Sequence, residues 1–198
     1  MAKKELAMQV VKQITYFTKP GKINTQRTLE LALERAQELK VKNIVVASTT
    51  GYTAKKLLEF NRSGLNIVCV SHHAGFEKPG AVELSVSTQN YLEKHGIKVY
   101  RATHFFSGIA RAIRAKFGGL YTGEIVAHTY RTLSEGVKVC VEIAIMALDA
   151  GLIPYGKEII AIAGTAQGAD TAIVIRPAHG RYFFDTKILE IICMPRNP

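Results

Sequence analysis

From Val10 to Phe17 apolar and polar residues alternate loosely, the two-residue period of a strand, until Lys19-Pro20-Gly21-Lys22 breaks it. Past a cap at Asn24 or Thr25, Leu29, Ala32, Leu33, Ala36 and Leu39 recur at helical spacing, and the solvent face of that helix would carry Glu30, Glu34, Arg35 and Glu38. A short apolar run, Ile44 to Val46, ends at Ala47 and leads into a second helix predicted over Thr53 to Phe60. Asn61 to Gly64 closes that helix before a third strand, Asn66 to Ser71. Short apolar strands that alternate with helices in this way predict a parallel sheet covered on both faces, with right-handed crossovers.

His72 to Gly80 is a loop by its glycines and proline, just past the carboxyl end of the third strand. Ser87 to His95 has the pattern of a helix and Ile97 to Ala102 that of a strand. Ser107 can cap a basic helix, Gly108 to Phe117, which Gly118-Gly119 breaks. Two further helices, Gly123 to Leu133 and Val137 to Ala150, are predicted on either side of a Glu135-Gly136 turn. Lys138, Glu142 and Asp149 interrupt the longest apolar stretch at spacings of four and seven, one narrow stripe of a helix, which marks it as buried and not as a membrane span. The last third is rich in β-formers: Glu158 to Ala163, Thr171 to Arg176 and Ile188 to Met194. Only Gly164 to Asp170 joins the first two, too few residues for a parallel crossover, so an antiparallel hairpin is expected at the sheet's edge. The pattern as a whole predicts one α/β domain over residues 1–198, a three-layer sandwich with a mostly parallel sheet and an antiparallel C-terminal hairpin.

Composition narrows this picture. A chain of 198 residues with 47% hydrophobic content can bury one substantial core. Cys69, Cys140 and Cys193 are odd in number and each sits in an apolar run, the signature of buried thiols in a reducing cytoplasm and not of a disulfide framework. Met1 to Gln9 has lysines but no apolar stretch of signal-peptide length, which again points to the cytoplasm. The formal charge of +10 suits polyanions or small anionic ligands. Its even spread, and the lack of a nucleic-acid module around Arg101, Arg111, Arg114 and Lys116, favour the small ligand over nucleic acid. Neither CxxC nor HExxH occurs, so no metal site is expected. The exposed edge of the last strands admits a homo-oligomer.

The candidate chemistry centres on Ser48-Thr49-Thr50-Gly51-Tyr52-Thr53, where a strand runs into hydroxyls, a glycine and a helix start. Gly51 has no Cβ to hold a ligand off the backbone, and unpaired N–H groups at the helix start carry a positive partial charge. This is an anion cradle in outline, suited to the phosphate of a small molecule; the alternative is an ordinary turn whose hydroxyls cap the helix. Two or three hydrogen bonds of about 1.5 kcal/mol each support only about millimolar affinity, so tight binding also needs a ring to bury.

A second small-residue loop, Gly164-Thr165-Ala166-Gln167-Gly168-Ala169-Asp170-Thr171, would let backbone approach a flat ligand, with Asp170 free to accept from ribityl or sugar hydroxyls; it is equally a hairpin turn. His72, His73 and His104 follow strand ends, and His73 or His104 is the candidate proton-transfer group if the protein is an enzyme. Adjacent side chains in a strand-end loop are expected to point different ways, which argues against His72 and His73 sharing a metal. Phe76, Tyr52 and Phe105 are candidate stacking partners or core. No nucleophile elbow or paired-carboxylate motif is present.

Ile44 to Ala54, with its Ser-Thr-Thr-Gly-Tyr-Thr turn, resembles the strand and phosphate loop of the carboxy-terminal α/β domain of pyruvate kinase, where a Thr-x-Ser-Gly-x-Ser-type turn holds a phosphate of the sugar-phosphate activator. Over nearly its full length, including His72-His73-Ala74-Gly75-Phe76 and Gly164 to Ile175, the chain is similar to the stand-alone archaeal pyruvate kinase α/β-domain-like family. That resemblance implies flavin mononucleotide (FMN) at the strand ends: phosphate on Thr49 to Thr53, ribityl chain or ring on Gly164 to Thr171, and His72, His73 and Phe76 near the ring. Tyr52 stands where the kinase loop often carries a charged residue, and it suits a ring. Pyruvate kinase chemistry is not implied, since a catalytic barrel of roughly 250 residues does not fit in this chain. The expected function is binding of FMN or a similar phosphorylated ligand, with or without flavin-dependent activity. The alternatives are a non-catalytic metabolite sensor and, from charge alone, a nucleic-acid-binding protein.

Overall fold

Strands with consecutive apolar residues on both faces can exist only where both faces of the sheet are covered, and four strands here meet that condition in their central residues. Ile44 and Val46, Ile67 and Cys69, Ile160 and Ile162, and Ala172 and Val174 enter one core with Leu29, Ala32, Leu57 and Leu92. Val45, Val68 and Val70, Ala161, and Ile173 and Ile175 enter the other with Val137, Val141, Ile145 and Leu148. The chain thus builds three layers.

The computed structural model describes residues 9–60 and 62–197. The expectation drawn from Met1 to Gln9 falls, but for Gln9, outside those residues, as does Asn61 of the predicted helix end. In chain order come β1 (Thr15–Phe17), α1 (Thr25–Leu39), β2 (Asn43–Ala47), α2 (Tyr52–Leu57), β3 (Asn66–Ser71), α3 (Val86–Lys94), β4 (Ile97–Arg101), α4 (Gly108–Phe117), α5 (Thr122–Arg131), α6 (Glu135–Asp149), β5 (Ile159–Ala163), β6 (Thr171–Arg176) and β7 (Lys187–Pro195). The seven strands form one sheet in the order β1-β7-β6-β5-β2-β3-β4. Only β6 runs against its neighbours; β1 with β7, β5 with β2, β2 with β3 and β3 with β4 are parallel. Every loop that leaves β1 to β5 therefore emerges at one edge of the sheet.

The sequence expectations need four corrections. The antiparallel pair β5–β6 sits in the middle of the sheet, because β7 and then β1 continue it outward, and the edges are β1 and β4. The first strand shrinks to Thr15–Phe17, with Val10 and Val11 left exposed. Arg35 does not face solvent, since its guanidinium forks onto Glu190 of β7 at 2.6 and 2.8 Å. Glu135-Gly136 is not a turn: Ser134 accepts a hydrogen bond from the Val137 amide, so α6 starts at Glu135.

Gly136 is there for close approach. A Cβ at that position would lie 2.1 Å from Thr171 Oγ1, and Thr171 is fully buried and cannot give way. The rest of α6 is buried almost all round, from Val137 to Leu148, as suits a helix laid across the centre of a sheet. Cys69, Cys140 and Cys193 are all buried and free, and burial pushes the thiols of Cys69 and Cys193 up to about 12. Among the described residues no helix is long and apolar enough to cross a membrane.

Gly136→Ala tests the helix–strand contact. Alanine is the better helix former by about 1 kcal/mol, yet the clash with Thr171 should reverse the sign and destabilise the fold by about 1–3 kcal/mol in urea unfolding. A neutral or stabilised variant would show that the contact is not tight.

Candidate functional site at the strand ends

At the carboxyl edge of the sheet the loops surround a cleft of about 1070 Å³. Its first wall is the turn after β2. Ser48 extends the strand, donating its amide to Val70 O at 3.0 Å, and its hydroxyl accepts from the Ala54 amide at 3.3 Å. Gly51 then turns the chain at φ 88° into α2. Its bare side faces α3 and not the cleft, for a Cβ there would lie 2.4 Å from Thr88 Cγ2. The amides of Thr50, Gly51 and Tyr52 find no acceptor among the described residues, so this turn does present N–H groups.

The second wall is the Gly164–Asp170 loop, and its form depends on a carboxylate. Asp170 is fully buried; Oδ2 accepts from the amides of Gly21 at 2.7 Å and Thr165 at 3.1 Å, and Oδ1 from the Thr171 hydroxyl at 2.8 Å. Thr25 Oγ1 accepts from the Ala169 amide and donates to Lys22 O. Gly168 packs so closely on this segment that a Cβ would meet Thr25 Oγ1 at 2.3 Å and Lys22 Cα at 2.7 Å. The clamp carries Lys22 to the cleft, where its ammonium lies 4.3 Å from the centroid of the Tyr52 ring.

The third wall is aromatic. His72 packs against Phe76, tilted by 33° with centroids 3.9 Å apart, and His104 lies 5.2 Å from His72 and 5.1 Å from Phe76. His72 Nε2 is 3.3 Å from Thr49 Oγ1, which ties this wall to the first. Arg111 of α4 sits over Phe76 at 4.5 Å. Burial holds the His104 imidazole down at about 4, against the opposing pull of Glu142. Burial also lowers His72, with Glu83 and Glu77 working the other way. At the floor, Lys138 and Glu142 form a buried ion pair at 2.6 Å, and the second oxygen of Glu142 accepts from the Phe106 amide at 2.9 Å.

Of the residues singled out in sequence, Ser48, Thr49, Thr50, Tyr52, Thr53, His72, Phe76, His104, Gly164, Ala166 and Gly168 line the cleft. Gly51 shapes it from behind. Thr165 is set back from it, and Ala169, Asp170 and Thr171 are fully buried; Asp170 and Thr171 spend their polar atoms on the clamp and are not turned toward a ribityl chain. His73 does not line the cleft; its Nδ1 is 2.8 Å from Ala74 O. Yet its ring is 5.5 Å from Phe76 and 5.6 Å from His104, so the two adjacent histidines converge on one cluster instead of diverging. The chain leaves the pleat at Ser71, and strand alternation no longer applies beyond it. Among the described residues no group of three or more His, Cys, Asp and Glu side chains is disposed to hold a metal ion. Phe105 packs against Phe106 and Phe183 in the core, away from the rings.

Sequence reasoning missed Lys22, Glu83 and the role of Arg111. The Lys-Pro-Gly-Lys break and the basic helix signalled the two cations, but only the fold shows that each comes to rest on a ring.

The pyruvate kinase alpha/beta domain family matches residues 26–175 of the chain. Similar solved structures include a pyruvate kinase from Cryptosporidium parvum at 16% identity and TM-score 0.40, covering 76% of this chain and 22% of that one. The Cryptosporidium parvum enzyme in complex with ADP gives 16% identity and TM-score 0.40, over 86% and 24% of the two chains. A further structure of that enzyme gives 18% and 0.37, over 73% and 21%. The chain thus spans less than a quarter of the length of these kinases.

His104 generates a pH prediction. Its folded value, about 4, lies below the ordinary 6.5, so as pH falls the unfolded chain takes up the proton first. The associated stability is complete above about 6.5 and is lost as pH falls toward about 4. The loss should be roughly 1–2 kcal/mol once solvent screening of the partly exposed ring is allowed for. Thermal melts between these limits should show the slope in the wild type and a flatter profile in His104→Asn. Identical profiles would refute the assignment.

Proposed function

The chain belongs to the pyruvate kinase alpha/beta domain family, and on that footing we propose that its strand-end cleft binds a phosphorylated small molecule that carries a ring, with FMN as the specific candidate. The observation that carries this is the pairing of free amides with ring-parked cations. Neither Lys22 nor Arg111 forms an ion pair among the described residues, and each is stacked beside the cleft. Both residues are exposed, and a cation that rests on a ring face without a carboxylate partner stays available to an anion.

The residues present fit a flavin phosphate in size and in kind. A cleft of about 1070 Å³ exceeds what a mononucleotide fills, and the His72, Phe76 and His104 rings offer it a flat partner. Phosphate would be held by the Thr49–Tyr52 turn and by Lys22; the ring would lie toward His72 and Phe76. A bound flavin supplies electron transfer, while the chain's own part is to hold the phosphate, orient the ring and keep water from it. A sensor role is favoured by one further observation: the segment that carries Lys22 is bound to the sheet through Asp170, so an anion on Lys22 would stiffen a link between β1 and β6.

Titration with FMN should quench flavin fluorescence and raise the melting temperature, with an affinity that weakens as salt rises. Lys22→Ala should cost about tenfold to a hundredfold in affinity, the loss of one charge-assisted contact. Absence of any thermal shift with FMN and with inorganic phosphate would overturn the proposal. Mass spectrometry of the ligand after incubation separates the sensor, which returns it unchanged, from an enzyme, which converts it.

A further inference from the structure

Glu83 is an acid with nothing to hold. Both of its carboxylate oxygens are shielded from solvent, and neither has a hydrogen-bond partner among the described residues. Its position is fixed by its neighbours. Leu84 is buried, Ser85 caps α3 by accepting from the Thr88 amide, and Ala81 O accepts from the Gly75 amide at 2.8 Å. The Arg101 guanidinium donates to Leu84 O and Gln89 Oε1 and forms no ion pair with Glu83, its Nε being shielded and unpartnered as well. Across the same cleft the His72 ring spends Nε2 on Thr49, and its Nδ1 is shielded and unpartnered in the same way.

A folded protein rarely leaves such groups unmatched, because each costs the full desolvation of its polar atoms. Where they persist they mark a place that a ligand completes. An ionised carboxylate can only accept, so what completes Glu83 must donate. The donor must also come to the cleft that Glu83 shares with the tilted His72–Phe76 pair, whose centroids are 3.9 Å apart and beside which a flat group belongs. A sugar hydroxyl does not meet the second requirement; the N–H or amino edge of a heterocycle meets both. We propose that Glu83 and His72 form a subsite that reads a nitrogen-bound hydrogen on the ligand's ring, so that the cleft takes nucleotide-like phosphates in preference to plain sugar phosphates. This rests on the phosphate-binding function proposed above and names the class of ligand for it. The negative charge of Glu83 also orients the ligand, since it repels a phosphate from this end and leaves the phosphate to Lys22.

Isothermal titration of the full chain with FMN, AMP and ribose 5-phosphate, in wild type, Glu83→Gln and Glu83→Ala, tests this. The wild type should bind FMN or AMP at least tenfold more tightly than ribose 5-phosphate. Both variants should lose about tenfold to a hundredfold toward the ring-bearing ligand and stay within about twofold for ribose 5-phosphate. Without ligand, Glu83→Gln should melt higher than wild type, because a neutral amide is cheaper to shield than a carboxylate. Equal losses for all three ligands, or none, would overturn the inference, and so would a lower melting temperature, which would mean that Glu83 serves the fold. If the wild type takes ribose 5-phosphate as tightly as FMN and AMP, the subsite falls and phosphate binding stands. If it takes none of the three, both fall.

Discussion

The Asp170 carboxylate is the constraint on which the cleft depends. It is fully buried, and three donors from three places in the chain converge on it: Gly21 from the β1–α1 connection, Thr165 from the loop it belongs to, and Thr171 at the start of β6. Charge-assisted hydrogen bonds are the strong ones, and here they replace solvation that the site denies. Remove the carboxylate and three donors, one of them buried and two partly so, lose their acceptor together. With them would go the registration of Lys22 over Tyr52, the tight seat of Gly168 and the shape of a whole wall.

What the sequence discloses and what it withholds divide along one line. Local pattern located the elements well, since β3, β6 and α4 begin and end where the sequence predicts and α3 nearly so. Local pattern also found the β2 turn and the histidine loop, because strand ends in a parallel sheet are marked by abrupt changes of polarity. It failed where a residue's role is set by a distant partner. Asp170 looks like a ligand group because it is an acid among small residues, and only the approach of Gly21 reveals its duty. Arg35 reads as a surface charge by helical phase, and Glu190 lies far off in the chain. Gly136 reads as a turn because glycine usually is one, whereas Thr171 lies against it.

The cleft floor adds a second non-local device. Lys138 and Glu142 share a helical stripe, which sequence shows, but their burial opposite Phe106 does not follow from periodicity. A paired charge at the bottom of a partly apolar cavity sets the local field without adding net charge. His104, near both, stays neutral through most of the physiological range because its surroundings exclude water. The cleft thus sets Lys22 beside the β2 turn at one wall and Glu83 with the His72, Phe76 and His104 rings at another, an asymmetry that matches a molecule with one anionic end.

The pairing of β1 with β7 joins residues far apart in sequence, Thr15 beside Cys193 and Phe17 beside Pro195. During synthesis the early strand waits, unpaired, until β7 has been made, and contacts of such separation form slowly. Lys22 follows directly on that strand and Asp170 comes late as well. A nascent chain can assemble its central strands early, but the rim of the cleft is completed only once β6 and β7 have been made, so the recognition surface is among the last features of the domain to form.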